Sequence, residues 1–267
     1  MAEFAGEPMK KRLFVGTLLL LGLILGIIFA YDLNLSNDES MRDPANLSSY
    51  PDRGYFKIDP ETILTSLAQG NSEVFAPLPE NLNSVQSSSN VSFSWTQSNF
   101  LEVASALVQR VWKDPMSMKD WSIYFILFQT DCRDNINGFD FAAITYFKLT
   151  TMEGRTVYVT RHIDVVPYDT VVRWGDGAWY PVPILQKWKS VNLAEARFTA
   201  EDALQIAEKH GGKEARLNAE NNCLLQVDSP QNSDYKNWYL SYLIRPDFVN
   251  YAIDLDTGEY KILGRGQ

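Results

Sequence analysis

The chain contains few cysteines, few histidines and fewer basic than acidic residues. Two cysteines and two histidines in 267 residues cannot form a disulfide framework or a four-cysteine zinc site, and they argue against a multi-histidine metal site. Lysine and arginine total 24 against 33 aspartates and glutamates, so the formal net charge is −9. Because nucleic-acid binding requires a basic surface, we expect no nucleic-acid partner.

Catalytic signatures are also missing from the sequence. It contains no P-loop, no G-x-G-x-x-G, no H-E-x-x-H and no G-x-S-x-G. His162 and Asp164 are two residues apart in a strand-like run, but nothing marks a nucleophile for them to activate. The acidic segment 254–259 has its glycine one position too early for an EF-hand, so it is better explained as a hairpin turn. We therefore predict no catalytic residue, no metal site and no cofactor.

One long apolar run is present near the N-terminus. Residues 13–31 carry no charge, and a helix of that length spans about 28 Å, close to the thickness of a bilayer core. Lys10, Lys11 and Arg12 precede this run. The positive-inside rule therefore places residues 1–12 in the cytoplasm and the rest of the chain outside the cell membrane. We predict an uncleaved signal-anchor; a cleaved signal peptide is the alternative, although its apolar region is usually shorter.

The segment after the anchor has the composition of a linker. Residues 32–95 are rich in Asn, Ser, Asp and Pro, and we predict that they form a stalk with a short helix near 60–69. From residue 96 the pattern changes, because apolar residues from Phe100 to Trp112 recur at helical spacing. Strand-like runs rich in β-branched and aromatic residues follow this predicted helix.

The order of a helix followed by strands then occurs a second time. Thr199, with Asp202 three residues later, has the pattern of a capping box at the start of a second helix. Gly211 and Gly212 are expected to end this helix. Further strand-like runs follow, and the first of them is predicted at 215–219. The pattern is typical of an α+β fold.

The second half of the chain resembles the PepSY family. The segments that carry the resemblance are FTAEDALQIAEKHGG, NWYLSYLI and YAIDLDTGEYKIL, which place the matching positions at 199–212, 238–244 and 254–259. In that family, an acidic helix start is followed by an aromatic-led strand and a closing hairpin. The first half is similar to a diverged copy that lacks the TGE turn. The stretches DCRDN…GFDF and GGKEARL…NNC also resemble uncharacterised membrane-anchored proteins of bacteria.

The resemblance implies both a fold and a function. The expected fold is α+β, with an N-terminal transmembrane helix and two tandem PepSY-like or cystatin-like modules, each with one helix packed on an antiparallel sheet. The first module and its connector would occupy residues 96–197, and the second would occupy residues 198–267. The implied activity is that of a binding or inhibitory module without a catalytic centre, often acting in relation to peptidases.

The two cysteines are candidates for a disulfide. Cys132 and Cys223 each lie on or beside an early strand of a predicted module, and an extracytoplasmic compartment permits disulfides. A bond between them would join the modules and stabilise the fold by about 4–5 kcal/mol. Two buried free thiols are the alternative.

An aromatic cluster is the candidate interaction surface. Trp174, Trp179, Tyr180 and Trp188 are close in sequence. They could form an exposed binding surface, since aromatic side chains concentrate at interfaces, or they could fill the space between the modules.

The sequence therefore predicts a membrane-anchored extracytoplasmic protein that is not an enzyme. It would act as a binding or regulatory protein that recognises a protein partner, such as a peptidase or an envelope component, and would contact the lipid bilayer through residues 13–31. One alternative is an accessory structural subunit of a larger membrane complex. The other is a cell-wall or peptide hydrolase.

Overall fold

The computed structural model describes the part of the chain that follows the predicted anchor. The described residues are 53–70, 74–78, 94–112, 118, 120–166, 171–182, 187–229, 236–244 and 248–266. The predicted cytoplasmic tail (1–12), the predicted anchor (13–31) and much of the predicted stalk lie outside them. In these described ranges, no helix is long and apolar enough to cross a bilayer.

The described chain forms ten strands and four α-helices. The strands are β1 (Arg53–Lys57), β2 (Ala76–Leu78), β3 (Ser122–Asp131), β4 (Phe141–Met152), β5 (Arg155–Val166), β6 (Val171–Pro181), β7 (Cys223–Asp228), β8 (Asn237–Ile244), β9 (Phe248–Asp254) and β10 (Tyr260–Gly266). The helices are α1 (Pro60–Ala68), α2 (Gln97–Val111), α3 (Ala200–Ala207) and α4 (Lys213–Asn218), with a kinked segment (Glu208–Gly212) between α3 and α4.

All ten strands belong to one sheet, in the order β10-β9-β8-β7-β3-β4-β5-β6-β1-β2. Every pair of neighbouring strands is antiparallel. The two strand runs of the sequence join at the pairing of β3 with β7, which extends from Leu127↔Asp228 to Asp131↔Leu224. Helices α2 and α3 both pack on one face of this sheet, and we call the opposite face the distal face.

The predicted division into two modules, each with its own sheet, is wrong. The β3–β7 pairing makes one sheet out of residues assigned to 96–197 and 198–267. The core is also shared, because the Phe128 ring centroid lies 5.8 Å from that of Phe100 in α2 and 6.3 Å from that of Trp238 in β8. Strand periodicity identifies a buried face but not the pairing partner, so the sequence pattern could not show that the two sheets are one.

The two helices also contact each other at their first turns. The side chain of Gln97 accepts a hydrogen bond from the backbone N–H of Ala200 at 2.9 Å. In return, the carboxylate of Glu201 accepts a hydrogen bond from the backbone N–H of Gln97. Each helix therefore satisfies one of the unpaired N–H groups at the start of the other, which is a role normally filled by a residue of the same helix.

The predicted start of the second helix and its predicted end at the glycines are both confirmed. Thr199 and Asp202 form the predicted capping box. His210 (φ −108°) and Gly211 (φ +106°) have non-helical backbone angles, so the helix breaks there, and a separate short helix, α4, begins at Lys213. Gly212 is needed there because a Cβ atom would lie 2.4 Å from the Tyr242 hydroxyl oxygen. Residues 215–219 are predicted to be a strand, but this prediction is wrong, because they lie in α4 and its C-terminal cap.

Part of the predicted stalk belongs to the sheet. β1 pairs with β6, and the short β2 pairs with β1 at the end of the strand order. Phe56 and Ile63 are buried in the same core as the residues under α2. Strands of five and three residues are too short to show a clear alternation of apolar residues, so the sequence pattern does not distinguish them from a linker.

Candidate functional site

The four aromatic residues predicted to form an interaction surface lie on two faces of the sheet. Trp174 lies on the helix-bearing face, where its ring centroid is 5.8 Å from that of Trp112 at the end of α2. Tyr180 and Trp188 lie together, with ring centroids 5.2 Å apart. Trp179 precedes Tyr180 in β6 and therefore points to the opposite face. The structure thus brings together two of the four residues.

Trp188, in the connector that follows β6, packs against the distal face. Its ring stacks between Tyr124 and Tyr158, at centroid distances of 4.0 and 4.5 Å. Its backbone N–H donates a hydrogen bond to the Tyr158 hydroxyl oxygen at 3.1 Å. Both faces of the indole are therefore covered by tyrosines of the same chain, and the cluster provides packing for the connector.

The predicted disulfide between Cys132 and Cys223 is confirmed. It joins the residue after β3 to the first residue of β7, with a Cα–Cα distance of 5.3 Å. The backbone N–H of Cys132 also donates a hydrogen bond to the carbonyl oxygen of Cys223 at 3.0 Å. The bond therefore lies at one end of the strand pair that makes the sheet continuous.

A buried ion pair lies close to the disulfide. The Arg216 side chain is 2% exposed, and its guanidinium contacts the Glu208 carboxylate at 2.8 Å. Arg216 also donates hydrogen bonds to the backbone carbonyls of Arg133 and Asp134, which directly follow Cys132. The hydrogen bond with Glu208 raises the pKa of Arg216, so the guanidinium stays charged. This cluster is structural, and because its members come from distant segments, no sequence motif indicated it.

His162 and Asp164 lie side by side on the distal face. Asp164 pairs with Arg173 on β6, with 3.4 Å between the carboxylate oxygen and Nε. Burial lowers the pKa of His162 and raises the pKa of Asp164. The described residues contain no group of three His, Cys, Asp or Glu side chains placed to hold a metal ion.

The acidic segment 254–259 is the hairpin turn between β9 and β10. The Asp254 carboxylate accepts hydrogen bonds from the backbone N–H groups of Asp256 and Thr257, at 2.9 and 2.8 Å. These hydrogen bonds lower the pKa of Asp254. Gly258 has φ +70°, a conformation that glycine adopts readily. One carboxylate oxygen, Oδ1, thus accepts both hydrogen bonds within the turn.

Exposed apolar side chains concentrate at the β8–β10 end of the sheet. Among the described residues, eight large apolar side chains are exposed, and five belong to these three strands: Leu243, Phe248, Tyr260, Ile262 and Leu263. The three on β10 are 42%, 40% and 47% exposed. Scattered exposed apolar residues are ordinary, but a cluster on neighbouring strands is typical of an interaction surface.

The β10 strand also presents unpaired backbone at this end of the sheet. It pairs with β9, and in the described part of the chain no strand pairs with its other edge. The N–H of Asp254 donates to the carbonyl of Glu259, so alternation turns the peptide groups of Tyr260 and Ile262 outward. A seven-residue edge with outward N–H and C=O groups and apolar side chains can accept another strand.

Asp228 at the end of β7 provides a test of the electrostatics of the distal face. Burial raises its pKa from the usual 3.8 to about 6, although Gln226 donates a hydrogen bond to it at 2.7 Å. Its folded-state pKa lies above the unfolded value, so the folded protein loses stability as the pH rises from about 4 to about 6. We expect Asp228→Asn to remove this slope and to stabilise the protein at pH 7 by at most about 3 kcal/mol.

Urea unfolding of the full-length protein between pH 4 and pH 8 measures this effect. Asp256→Asn is the matched control, because Asp256 is exposed on the hairpin turn. If the Asp228→Asn protein kept the wild-type slope between pH 4 and pH 6, the raised pKa of Asp228 would be contradicted.

Comparison with known proteins yields no relative. No protein-family model, curated protein or solved structure matches the chain. The PepSY resemblance therefore rests on the short segments quoted above, and function has to be argued from the geometry of the sheet.

Proposed function

We propose that this protein is a membrane-anchored, extracytoplasmic, non-catalytic binding protein whose sheet edge at β10 recognises a protein partner. The observation that carries the proposal is the exposed edge strand, with outward peptide groups at Tyr260 and Ile262 and three exposed apolar side chains. Water-soluble proteins usually protect such an edge with charge, a bulge or a covering element. β10 carries Lys261 and a bulge between Ile262 and Gly264, but the outward peptide groups of Tyr260 and Ile262 lie beside exposed apolar side chains. An extended segment of a partner would satisfy the peptide groups and bury the apolar side chains at once.

Three further observations support the proposal. The apolar run at 13–31 and the basic residues before it support the anchor and its orientation. The disulfide is of the kind that persists in an oxidising compartment outside the cytoplasm. The resemblance to the PepSY family supports a peptidase as the partner, with an envelope component as the broader class.

Site-specific photo-cross-linking in the native membrane tests the proposal. A photo-reactive side chain at Leu263 of β10 is compared with one at Leu149 of β4, which is also apolar and is 54% exposed. We expect a protein adduct from position 263 and none from position 149. In the position-263 protein, Ile262→Pro should reduce the adduct about tenfold because it removes an outward N–H, whereas Ile262→Val should leave it unchanged.

Three outcomes contradict β10 recognition. The first is an identical adduct from both positions, and the second is an equal loss with the proline and valine substitutions. The third is capture of integral-membrane subunits that disappears when the 13–31 segment is replaced by an unrelated anchor. That result favours the accessory-subunit alternative, in which the transmembrane helix makes the contact.

A further inference from the structure

A row of uncharged polar side chains crosses the distal face of the sheet. Gln129 of β3, Gln226 of β7, Ser241 of β8 and Asn250 of β9 are paired neighbours on consecutive strands. We call these four residues the polar row. Each lies between two buried residues of its own strand, so alternation places all four side chains on the distal face.

Hydrogen bonds fix the orientation of two side chains in the polar row, but they do not engage all of its donors and acceptors. Gln129 donates to the Oε1 atom of Gln226 at 3.2 Å, and Gln226 donates to the Asp228 carboxylate at 2.7 Å. These contacts fix the orientation of the two amides, and each amide has a second N–H. The Asn250 Oδ1 atom is buried without a hydrogen-bond donor, and an unsatisfied buried acceptor is costly unless a ligand supplies the donor.

An apolar row runs beside the polar row. Leu224, Leu243 and Phe248 are paired neighbours on β7, β8 and β9, and each is two residues away from the polar-row member of its own strand. Leu243 is 42% and Phe248 is 39% exposed. The distal face therefore presents a band of amides and a hydroxyl next to an apolar band, separated by about 7 Å.

We infer that the polar and apolar rows together bind a neutral oligosaccharide. A sugar ring has hydroxyl groups on its edge that both donate and accept hydrogen bonds, and apolar C–H groups on its face. Amide side chains can both donate to and accept from such hydroxyls, while Phe248 and Leu243 offer a surface for the C–H groups. The polar row itself carries no charge, and the Asp228 carboxylate beside it, which accepts a hydrogen bond from Gln226, disfavours an anionic ligand.

The spacing of the polar row favours a saccharide over an extended peptide. Neighbouring strands are about 4.8 Å apart, so the four side chains span about 14 Å. An extended peptide repeats its like-facing groups about every 6.7 Å, which is out of step with this interval. Sugar hydroxyls occur along the whole edge of an oligosaccharide and do not require one fixed period. This inference is independent of the partner proposed for β10.

Titration of the full-length protein in detergent micelles with cellohexaose, chitohexaose and mannohexaose tests the inference. We expect at least one of these neutral oligosaccharides to bind, and Asn250→Ala or Ser241→Ala to weaken its binding about tenfold, as the loss of about 1.4 kcal/mol requires. Thr145→Val is the matched control, because Thr145 lies on the distal face outside both rows. Its binding constant should equal that of the wild-type protein.

The outcomes separate the saccharide site from the β10 edge. Ile262→Pro should leave oligosaccharide binding unchanged, whereas it should reduce the cross-link from position 263. The inference is overturned if none of the three oligosaccharides binds, or if binding is insensitive to both Asn250→Ala and Ser241→Ala. Ser241→Ala removes only one oxygen atom, so it provides a readout if the Asn250→Ala protein fails to fold.

Discussion

Replacement of both Cys132 and Cys223 by alanine is expected to lower the free energy of unfolding by about 4–5 kcal/mol. The cysteines are 91 residues apart in sequence, and in the chain-entropy model a cross-link of that span removes much of the freedom of the unfolded chain. Alanine is the suitable replacement because Cys132 is 8% exposed, and a serine hydroxyl there would be desolvated. Urea unfolding of the full-length protein in detergent micelles measures the loss.

Reduction of the wild-type protein provides the control for this prediction. Wild-type protein unfolded in the presence of a reductant should show the midpoint of the double-alanine variant, while the variant itself should not respond to the reductant. A loss below about 1 kcal/mol would contradict the expected effect. It would mean that the β3–β7 backbone pairing holds the two segments together in the unfolded ensemble as well.

Local sequence patterns predicted local structure well. The helix expected from Phe100 to Trp112 is α2, which begins after the N-cap Thr96 and ends at Val111. The capping box at Thr199 also formed as expected. Each of these features depends on residues within three or four positions of one another, so a single sequence contains all the information. The disulfide could also be predicted, because the chain has only two cysteines.

The long-range arrangement could not be predicted in the same way. Ile126 and Phe128 of β3 and Leu225 and Val227 of β7 alternate in the same manner, and this pattern would equally suit two separate sheets. The end of the second helix, in contrast, is a local feature that the sequence predicts. Gly211 adopts a positive φ where the helix breaks, as glycine commonly does at a helix end, and the Tyr251 hydroxyl donates a hydrogen bond to the neighbouring His210 carbonyl.

The residues that make up the candidate surfaces could not be predicted from the sequence either. The aromatic residues at 174–188 are close in sequence, but an extra residue in β6 between Asp176 and Trp179 shifts the alternation, so Trp174 and Tyr180 lie on opposite faces. The polar row consists of residues from four strands, and its first and last members are 121 positions apart. Only the order of strands in the sheet brings them together. Such a surface has no sequence motif, because no two of its members are neighbours in the chain.

Arg216→Met is expected to destabilise the protein by about 3–5 kcal/mol. The substitution leaves the Glu208 carboxylate, whose side chain is only 12% exposed, without its cation, and a buried charge that loses its partner is strongly unfavourable. It also removes the donors for the carbonyls of Arg133 and Asp134. Urea unfolding at pH 7 measures the loss, and a loss below about 1 kcal/mol would contradict the role of the ion pair.

The double variant Arg216→Met with Glu208→Gln distinguishes the buried charge from the lost hydrogen bonds. If the unpaired carboxylate causes most of the loss, the double variant should be more stable than Arg216→Met alone, since a neutral amide can still accept the hydrogen bond from the Tyr242 hydroxyl. If the unsatisfied carbonyls cause most of it, the double variant should be no more stable than the single one. The Arg133 and Asp134 carbonyls follow Cys132, so the second result would make Arg216 a noncovalent counterpart of the disulfide, holding the loop after β3 against α4.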